Sequence, residues 1–335
     1  VTVTTTGSTG TSDVTFNLTV NNVSPTIELS GAPSVNEGAT YTLNLGPITD
    51  PGDDEVFKYI VRWGDGSVES FDAGGEVTHT FADGNGNSII TVDLVDEDGA
   101  YFGVDSLEVM INNVAPTIVL DGASNVFEGS SYTLNLGSII DPGSDTVTTY
   151  IVDWGDGSSN TYDSGGDVTH TYANGPADVV ISVDLIDEDG THDSAGTYAL
   201  TIDNANPVAV DDPAVPALYA TDEVSSLTIP AEIGVLENDY DTGIKDELKV
   251  TEINGKAFAS GDTVDLPSGA KLTVYSDGSF VYNPNGGLDF LKQDEIGTDS
   301  FEYTVSDGEG GFSTATAVVR VTGISNSPTA DLVRS

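Results

Sequence analysis

The amino-acid sequence predicts an all-β protein, a tandem series of immunoglobulin-like β-sandwiches arranged end to end as a rod. Three observations predict it. Apolar residues alternate with polar ones over short runs, clusters of Gly, Pro, Asn and Asp separate those runs, and the sequence repeats itself at a fixed offset of 91 residues. Alternation bounded by turn residues marks half-buried strands. A fixed period marks stacked copies of one structural unit.

In the first copy, alternating runs fall at 26–30, 41–45, 57–62, 77–81, 88–94 and 104–111. No helical period extends beyond two turns. About seven strands in a unit of this length is the pattern of an immunoglobulin-like sandwich. Each sheet has one apolar face, and the two faces bury one another. The repeat relates Glu37 to Glu128, Asp50 to Asp141, Trp63 to Trp154, His79 to His170 and Asp96 to Asp187 without insertion. Two copies are therefore expected at 24–114 and 115–205. Residues 1–20 align with 92–111, so 1–23 reads as the final strands of a truncated preceding copy. Val1 stands in mid-strand, as in a piece of a longer chain. The segment 206–325 differs in sequence but has the same grammar, with strands at 227–230, 248–253, 271–275, 279–283, 300–305 and 314–322. Residues 326–335 read as a linker.

Charge narrows the function. Among 335 residues, 9 are Lys or Arg and 55 are Asp or Glu, giving a net charge of −46. Such a chain repels nucleic acid and anionic membrane surfaces, both polyanions, and attracts cations. No run of 18 apolar residues is present, so membrane insertion is not expected. The chain has no cysteine, which excludes disulfides and thiolate sites. No nucleophile elbow, phosphate loop or zinc-protease motif occurs, and no enzymatic activity is expected. His79 and His170 occupy equivalent places in separate copies, and His192 is expected alone on a loop. All three read as structural.

Trp63-Gly64-Asp65-Gly66 and Trp154-Gly155-Asp156-Gly157 each follow an apolar strand. The Trp is expected in the core, and the Gly-Asp-Gly in a tight turn requiring positive φ. A His-Thr-aromatic strand follows at 79–81 and 170–172, and Val-Asp-Leu-x-Asp-Glu-Asp-Gly at 92–99 and 183–190. In this combination each copy resembles the PKD (polycystic-kidney-disease) domain. The third segment carries Asn-Pro-Val-Ala-Val-Asp-Asp at 206–212, Val-Leu-Glu-Asn-Asp-Tyr-Asp at 235–241 and Asp-Ser-Phe-Glu-Tyr-Thr-Val-Ser-Asp-Gly at 299–308. It resembles the bacterial cadherin-like, or VCBS-type, repeat. That resemblance implies calcium ligands at Asp212, Asn238, Asp239, Asp241 and Asp307, although 241–247 lacks the unbroken Asp-x-Asp-Gly-Asp run of the family. Both domain types together are similar to the stalks of large secreted RTX-type adhesins.

Topology then gives the acids a meeting place. In an immunoglobulin-like sandwich the loop after the second strand, the loop before the last strand and the incoming linker share one end. In the first copy these supply Asp50 and Asp54, Asp96 and Asp98, and Asn22. In the second they supply Asp141 and Asp145, Asp187 and Asp189, and Asn113. Ser144 replaces Asp53, which favours Asp54 and Asp145 as the ligands. Glu37 and Glu128 lie at the opposite end, where each would reach the ion of the next junction. Converging carboxylates repel unless a cation joins them, and calcium takes six to eight hard oxygens in loose geometry. The expected partners are thus calcium ions and neighbouring domains of the same long chain, in a monomeric, secreted or cell-surface extender. The rival readings are a solvated acidic surface, a surface-layer component, or a carbohydrate- or protein-binding module using Tyr101, Phe102 and Tyr240.

Overall fold

A computed structural model describes residues 2–7, 10–15, 17–52, 54–212 and 219–324. The expected linker at 326–335 lies outside the described residues. By contact density the chain separates into two compact units. The first runs to Val119 and takes in Ser138–Tyr150 and Asp184–Ala195. The second comprises Leu120–Gly137, Ile151–Val183 and the chain from Gly196.

In the first unit, β1 (Thr2–Gly7) and β2 (Gly10–Thr15) form an antiparallel hairpin. The first repeat follows as β3 (Thr26–Gly31), β4 (Ser34–Asn36), β5 (Thr40–Thr49), β6 (Lys58–Arg62), β7 (Val68–Phe71), β8 (Gly75–Thr80), β9 (Gly86–Val95) and β10 (Ala100–Asn112). One sheet has the order β3-β5-β8, the other β4-β10-β9-β6-β7. Alternation does the sorting: Tyr41, Leu43 and Leu45 of β5 face inward against Val61, Ile90, Val92 and Leu94, while the residues between them face water. Trp63 is fully buried, and its indole stacks on the His79 ring with centroids 4.6 Å apart. His79 Nε2 contacts Asp65 Oδ2 at 2.7 Å. The Trp-Gly-Asp-Gly turn thus holds the imidazole against the core tryptophan, and Gly64 and Gly66 adopt φ of 93° and 95° as the tight turn requires. The sequence shows neither β4 nor β7, since three or four half-exposed residues leave no period to detect. The short β4 pairs in parallel with the end of β10, which fixes the residue after it, Glu37.

The second repeat uses the same plan. Here β11 (Thr117–Gly122), β12 (Asn125–Phe127), β13 (Ser131–Ile140), β14 (Thr149–Asp153), β15 (Ser159–Tyr162), β16 (Gly166–Thr171), β17 (Ala177–Ile186) and β18 (Thr191–Asp203) are ordered β11-β13-β16 and β12-β18-β17-β14-β15. Trp154 is buried on His170, centroids 4.8 Å apart. The rest is β19 (Ala220–Asp222), β20 (Leu227–Ile229), β21 (Lys249–Ile253), β22 (Lys256–Ala257), β23 (Thr263–Asp265), β24 (Lys271–Val274), β25 (Phe280–Asn283), β26 (Ile296–Ser306) and β27 (Phe312–Thr322), with a 3-10 turn at Ala231–Ile233. Its sheets run β20-β25-β24-β23 and β19-β27-β26-β21-β22. A separate core forms around Tyr219, Phe280, Tyr282, Phe301 and Tyr303. Like β4, β19 is short and pairs in parallel with the last strand.

Trp63→Ala should destabilise the first sandwich by about 3–5 kcal/mol, the usual cost of deleting a buried aromatic side chain. Phe102→Ala, at a side chain 75% exposed, should stay within about 0.5 kcal/mol of the parent. Urea denaturation followed by circular dichroism checks both.

Candidate metal sites

Each acidic loop begins with an aspartate that uses its two oxygens differently. One oxygen organises the loop. Asp50 Oδ1 accepts the Gly52 N–H at 2.8 Å, and Asp96 Oδ1 accepts the N–H groups of Asp98 and Gly99. Asp141 Oδ1 takes Gly143 N–H, and Asp187 Oδ1 takes those of Asp189 and Gly190. Asp241 Oδ1 takes Gly243 N–H, and Asp307 Oδ1 takes those of Glu309 and Gly311. The second oxygens of Asp50, Asp96, Asp141, Asp187 and Asp241 are buried without a hydrogen-bond partner. A turn that consumes one carboxylate oxygen leaves the other aimed where its neighbours' oxygens converge.

Among the described residues they converge at three places. Asp50, Asp54 and Asp96 bring ligand atoms within 4.8 Å of one another. Burial, then the charges of Asp98, Asp50, Glu97 and Asp96, push the Asp54 carboxyl above its ordinary range. The Asn22 side chain donates to the Tyr101 hydroxyl and lines one cavity with Asp54 and Asp98.

The second place contains two overlapping sets, Glu37 with Asp83, Asp145 and Asp189, and Asp141 with Asp145 and Asp187. All lie in the first compact unit. Glu37 is 1% exposed. Its backbone N–H bonds to Asn112 O at 3.0 Å, its Oε1 accepts Val114 N–H at 2.6 Å, and its Oε2 has no partner. The approach is close because two neighbours are glycine: a Cβ at Gly84 would lie 2.6 Å from Glu37 Oε2, and one at Gly143 2.7 Å from the Glu37 carboxyl carbon. Asn113 donates to Asp189 Oδ2 at 2.6 Å and keeps its own Oδ1 buried and unpartnered. Burial, then the charges of Glu37, Asp141, Asp189 and Asp187, push the Asp145 carboxyl up to about 6.

His192 proves to lie at this place and not alone on a loop: it sits in β18, beside the loop that precedes that strand. Its Nε2 is 2.7 Å from Asp187 Oδ2, outside hydrogen-bond alignment. Burial raises the Asp187 carboxyl, but the neighbouring imidazole and the two loop N–H groups more than offset this and hold it below the ordinary range.

The third place is in the second unit, where Glu128, Asp241 and Asp246 converge. It resembles the previous one with a different loop sequence, except that Glu128 Oε2 accepts the Gly175 N–H. Glu128 Oε1 accepts Ala205 N–H at 2.9 Å, as Glu37 accepts Val114. Ile244 N–H bonds to Ala173 O, as Ser144 N–H bonds to Ala82 O. Asn204, the counterpart of Asn113, donates to Asp307 Oδ2 at 2.8 Å and leaves its Oδ1 unpartnered. Burial, then Glu128, Asp241, Asp307 and Glu309, raise the Asp246 carboxyl to about 6.

Asp212, Asn238 and Asp239 are gathered elsewhere. The Tyr303 hydroxyl lies 2.7 Å from Asp212 Oδ2 and 3.3 Å from Asp239 Oδ1, while Asn238 donates to the carbonyls of Val210 and Asp211. Burial is the largest cause that carries Asp212 up to about 7 and Asp239 to about 6. Among the described residues, no convergent set of three acids includes either one.

Sequence reasoning missed Asp83, Asn204, Glu223 and Asp246. Asn204 was available at Asn113 plus the repeat period. Asp83 has Asn174 at the same offset, so the repeat comparison hid it. Asp246 stands where one residue lengthens the loop after Asp241. Glu223, 2% exposed, follows β19 as Glu37 follows β4. Its Oε1 accepts Ile324 N–H, and its Oε2 has no partner.

With this geometry established, a comparison with protein families finds one matching model, the bacterial cadherin-like domain, over residues 204–323. That stretch is similar to the bacterial cadherin-like domain. No curated protein matches the chain. Among solved structures, similarity extends to the fibronectin(III)-like modules of Clostridium thermocellum CbhA, at 17% identity and TM-score 0.25, covering 54% of this chain and 95% of that one. Drosophila N-cadherin EC1-4 follows at 15% identity and TM-score 0.29, covering 91% and 76%. Three N-terminal domains of the bacteriophage RB49 outer capsid protein Hoc give 12% and 0.25, covering 89% and 98%.

The Asp145 environment gives a prediction with a sign. In chelator, Asp145→Asn should raise the melting temperature, by about 4–8 °C for each kcal/mol of repulsion relieved. Asp145 titrates higher in the folded chain, about 6 against an ordinary 3.8. Its contribution to metal-free stability is therefore fully present below pH 3.8 and lost as pH rises through about 6. The Asn variant should lack that component. Melts across this pH range in chelator check it.

Proposed function

We propose that this segment is a calcium-stiffened extender, a spacer within a large secreted or cell-surface bacterial adhesin. In this reading two PKD-like domains, 24–114 and 115–205, follow the closing strands of another copy at 1–23 and precede the cadherin-like domain at 206–325. The role is mechanical and not enzymatic, and the chain acts as a monomer. The observation that carries the reading is the recurrence of one arrangement with aspartate loops of two unrelated sequences. A buried glutamate next to the last strand of one repeat meets aspartates from the loops that follow, around Glu37 and again around Glu128. Solubility needs exposed acids; it does not need a glutamate 1% exposed with a bare oxygen beside other carboxylates.

Glu37 Oε2, Asp145 and Asp189 would hold calcium at one such place, with Asn113 Oδ1 beside them. Glu128, Asp241 and Asp246 would hold it at the other, with Asn204 Oδ1 beside them. Asp50, Asp54 and Asp96 would form the corresponding set in the first copy. When bound, calcium cancels the repulsion that these oxygens suffer. The glutamate belongs to one repeat and the loops to the next, so a common ion resists bending between them. Carboxylates and amide oxygens are hard donors, suited to calcium.

Calcium should raise the melting temperature well beyond sodium chloride of equal ionic strength. Screening acts on both salts alike. Specific binding adds RT ln(1 + [L]/Kd), about 2.7 kcal/mol per site at a hundredfold excess. At about 4–8 °C per kcal/mol, millimolar calcium should shift melting by roughly ten degrees or more, and magnesium should substitute poorly. Equal melting temperatures in calcium and sodium would assign the acids to a solvated surface. Small-angle scattering in calcium should give a radius of gyration on the order of 30 Å, against about 20 Å for a compact chain of this length. A compact value would remove the spacer role.

A further inference from the structure

We infer that the acidic place around Asp145 holds two calcium ions bridged by that one carboxylate, whereas the place around Glu128 holds one. The inference rests on the calcium reading above and adds the number of ions and a ligand, Asp83.

The argument is geometric. Two oxygens on opposite sides of one calcium ion lie about 4.8 Å apart, twice a bond of roughly 2.4 Å. Glu37, Asp83, Asp145 and Asp189 satisfy that limit together, and so do Asp141, Asp145 and Asp187, but no set within the limit combines Glu37 or Asp83 with Asp141 or Asp187. One ion therefore cannot touch all six acids. Asp145 alone belongs to both sets, and both its oxygens, Oδ1 and Oδ2, are buried without a partner. That is the condition for a bridging carboxylate, one oxygen to each ion. Each set also has its own deeply buried acid, Glu37 with a bare Oε2 in the first and Asp187, whose Oδ2 lies 2.7 Å from His192 Nε2, in the second. His192 Nε2 is the ring nitrogen beside that Asp187 oxygen, and an ion bound there would take its place.

Charge leads to the same count. Six carboxylates around one divalent ion leave four negative charges in one small volume; two ions leave two. Around Glu128 the geometry permits only the single set with Asp241 and Asp246, and Asn174 occupies the position equivalent to Asp83. The 91-residue repeat therefore does not impose equal ion numbers on its junctions.

Native mass spectrometry of the full chain titrated with calcium counts the ions. Asp83→Ala removes an exposed ligand of the first set, and Asp141→Ala a ligand of the second. Each variant should bind one ion fewer than the parent, the double variant two fewer, and Asp145→Ala two fewer. Melting in chelator no lower than the parent's establishes that a variant folds, and Asp83→Ala, altered at an exposed side chain, is the variant for which this is best assured. For Asp141, the Asn variant, which keeps an oxygen for the Gly143 N–H, replaces Ala if the latter unfolds. A double variant that loses only one ion would overturn the two-ion site while leaving calcium binding in place. No calcium uptake by the parent chain would overturn the calcium reading itself.

Discussion

Desolvation of carboxylates is the constraint on which the rest of this structure depends. A carboxylate removed from water is costly unless a charge or a set of donors replaces the solvent. The backbone supplies donors to one oxygen of each acidic loop and none to the other. Glu37 Oε2, both oxygens of Asp145, and the outer oxygens of Asp141 and Asp187 are left together in one small volume. The sandwiches hold them there. Parallel pairing of β4 with β10 sets Glu37 beside Asn112, and the turns after β5 and β9, repeated after β13 and β17, fix the aspartates. The two packed sheets act as a frame that sustains electrostatic strain at its ends, and a divalent cation would turn that strain into cohesion.

The cadherin-like region shows which parts of this arrangement belong to geometry and which to sequence. Its strands share no repeat register with the two copies before it, and the loop from Asp241 to Asp246 is longer than that from Asp141 to Asp145. The backbone contacts nevertheless recur in kind: Ile244 with Ala173 O, Lys245 with Asn174 Oδ1, Ala205 with Glu128. Glu223 keeps the same place after a short parallel strand. What persists is a glutamate following a short strand paired in parallel with the last strand, opposed by aspartate turns.

Much of the fold was legible because its signals are periodic. The strands beginning near Thr26, Tyr41 and Lys58 announce themselves by alternation, and the repeat places Trp154 and His170 from Trp63 and His79. The β4 and β12 strands were not legible, since three residues carry no period, and those strands are what position Glu37 and Glu128. Asp50, Asp54, Asp96, Asp141, Asp145, Asp187 and Asp189 could be foreseen by adding loop topology to the repeat. Asp83 could not, because the next copy has Asn174 there, and Asp246 could not, because its spacing from Asp241 is peculiar to that loop. Asp212 and Asp239 stand in the motifs that carry the cadherin-like resemblance, but it is the buried Tyr303 hydroxyl that brings them together. That pairing across the core is invisible in a linear sequence.

The most direct test of the central claim, that a cation lies among these oxygens, is anomalous diffraction from crystals of the full chain grown in calcium. The account predicts peaks at the Asp145 and Glu128 clusters with oxygen distances of about 2.3–2.6 Å, Glu37 Oε2 and Asp145 among the ligands of the first. Clusters holding only water, with the carboxylates turned apart toward solvent, would contradict it.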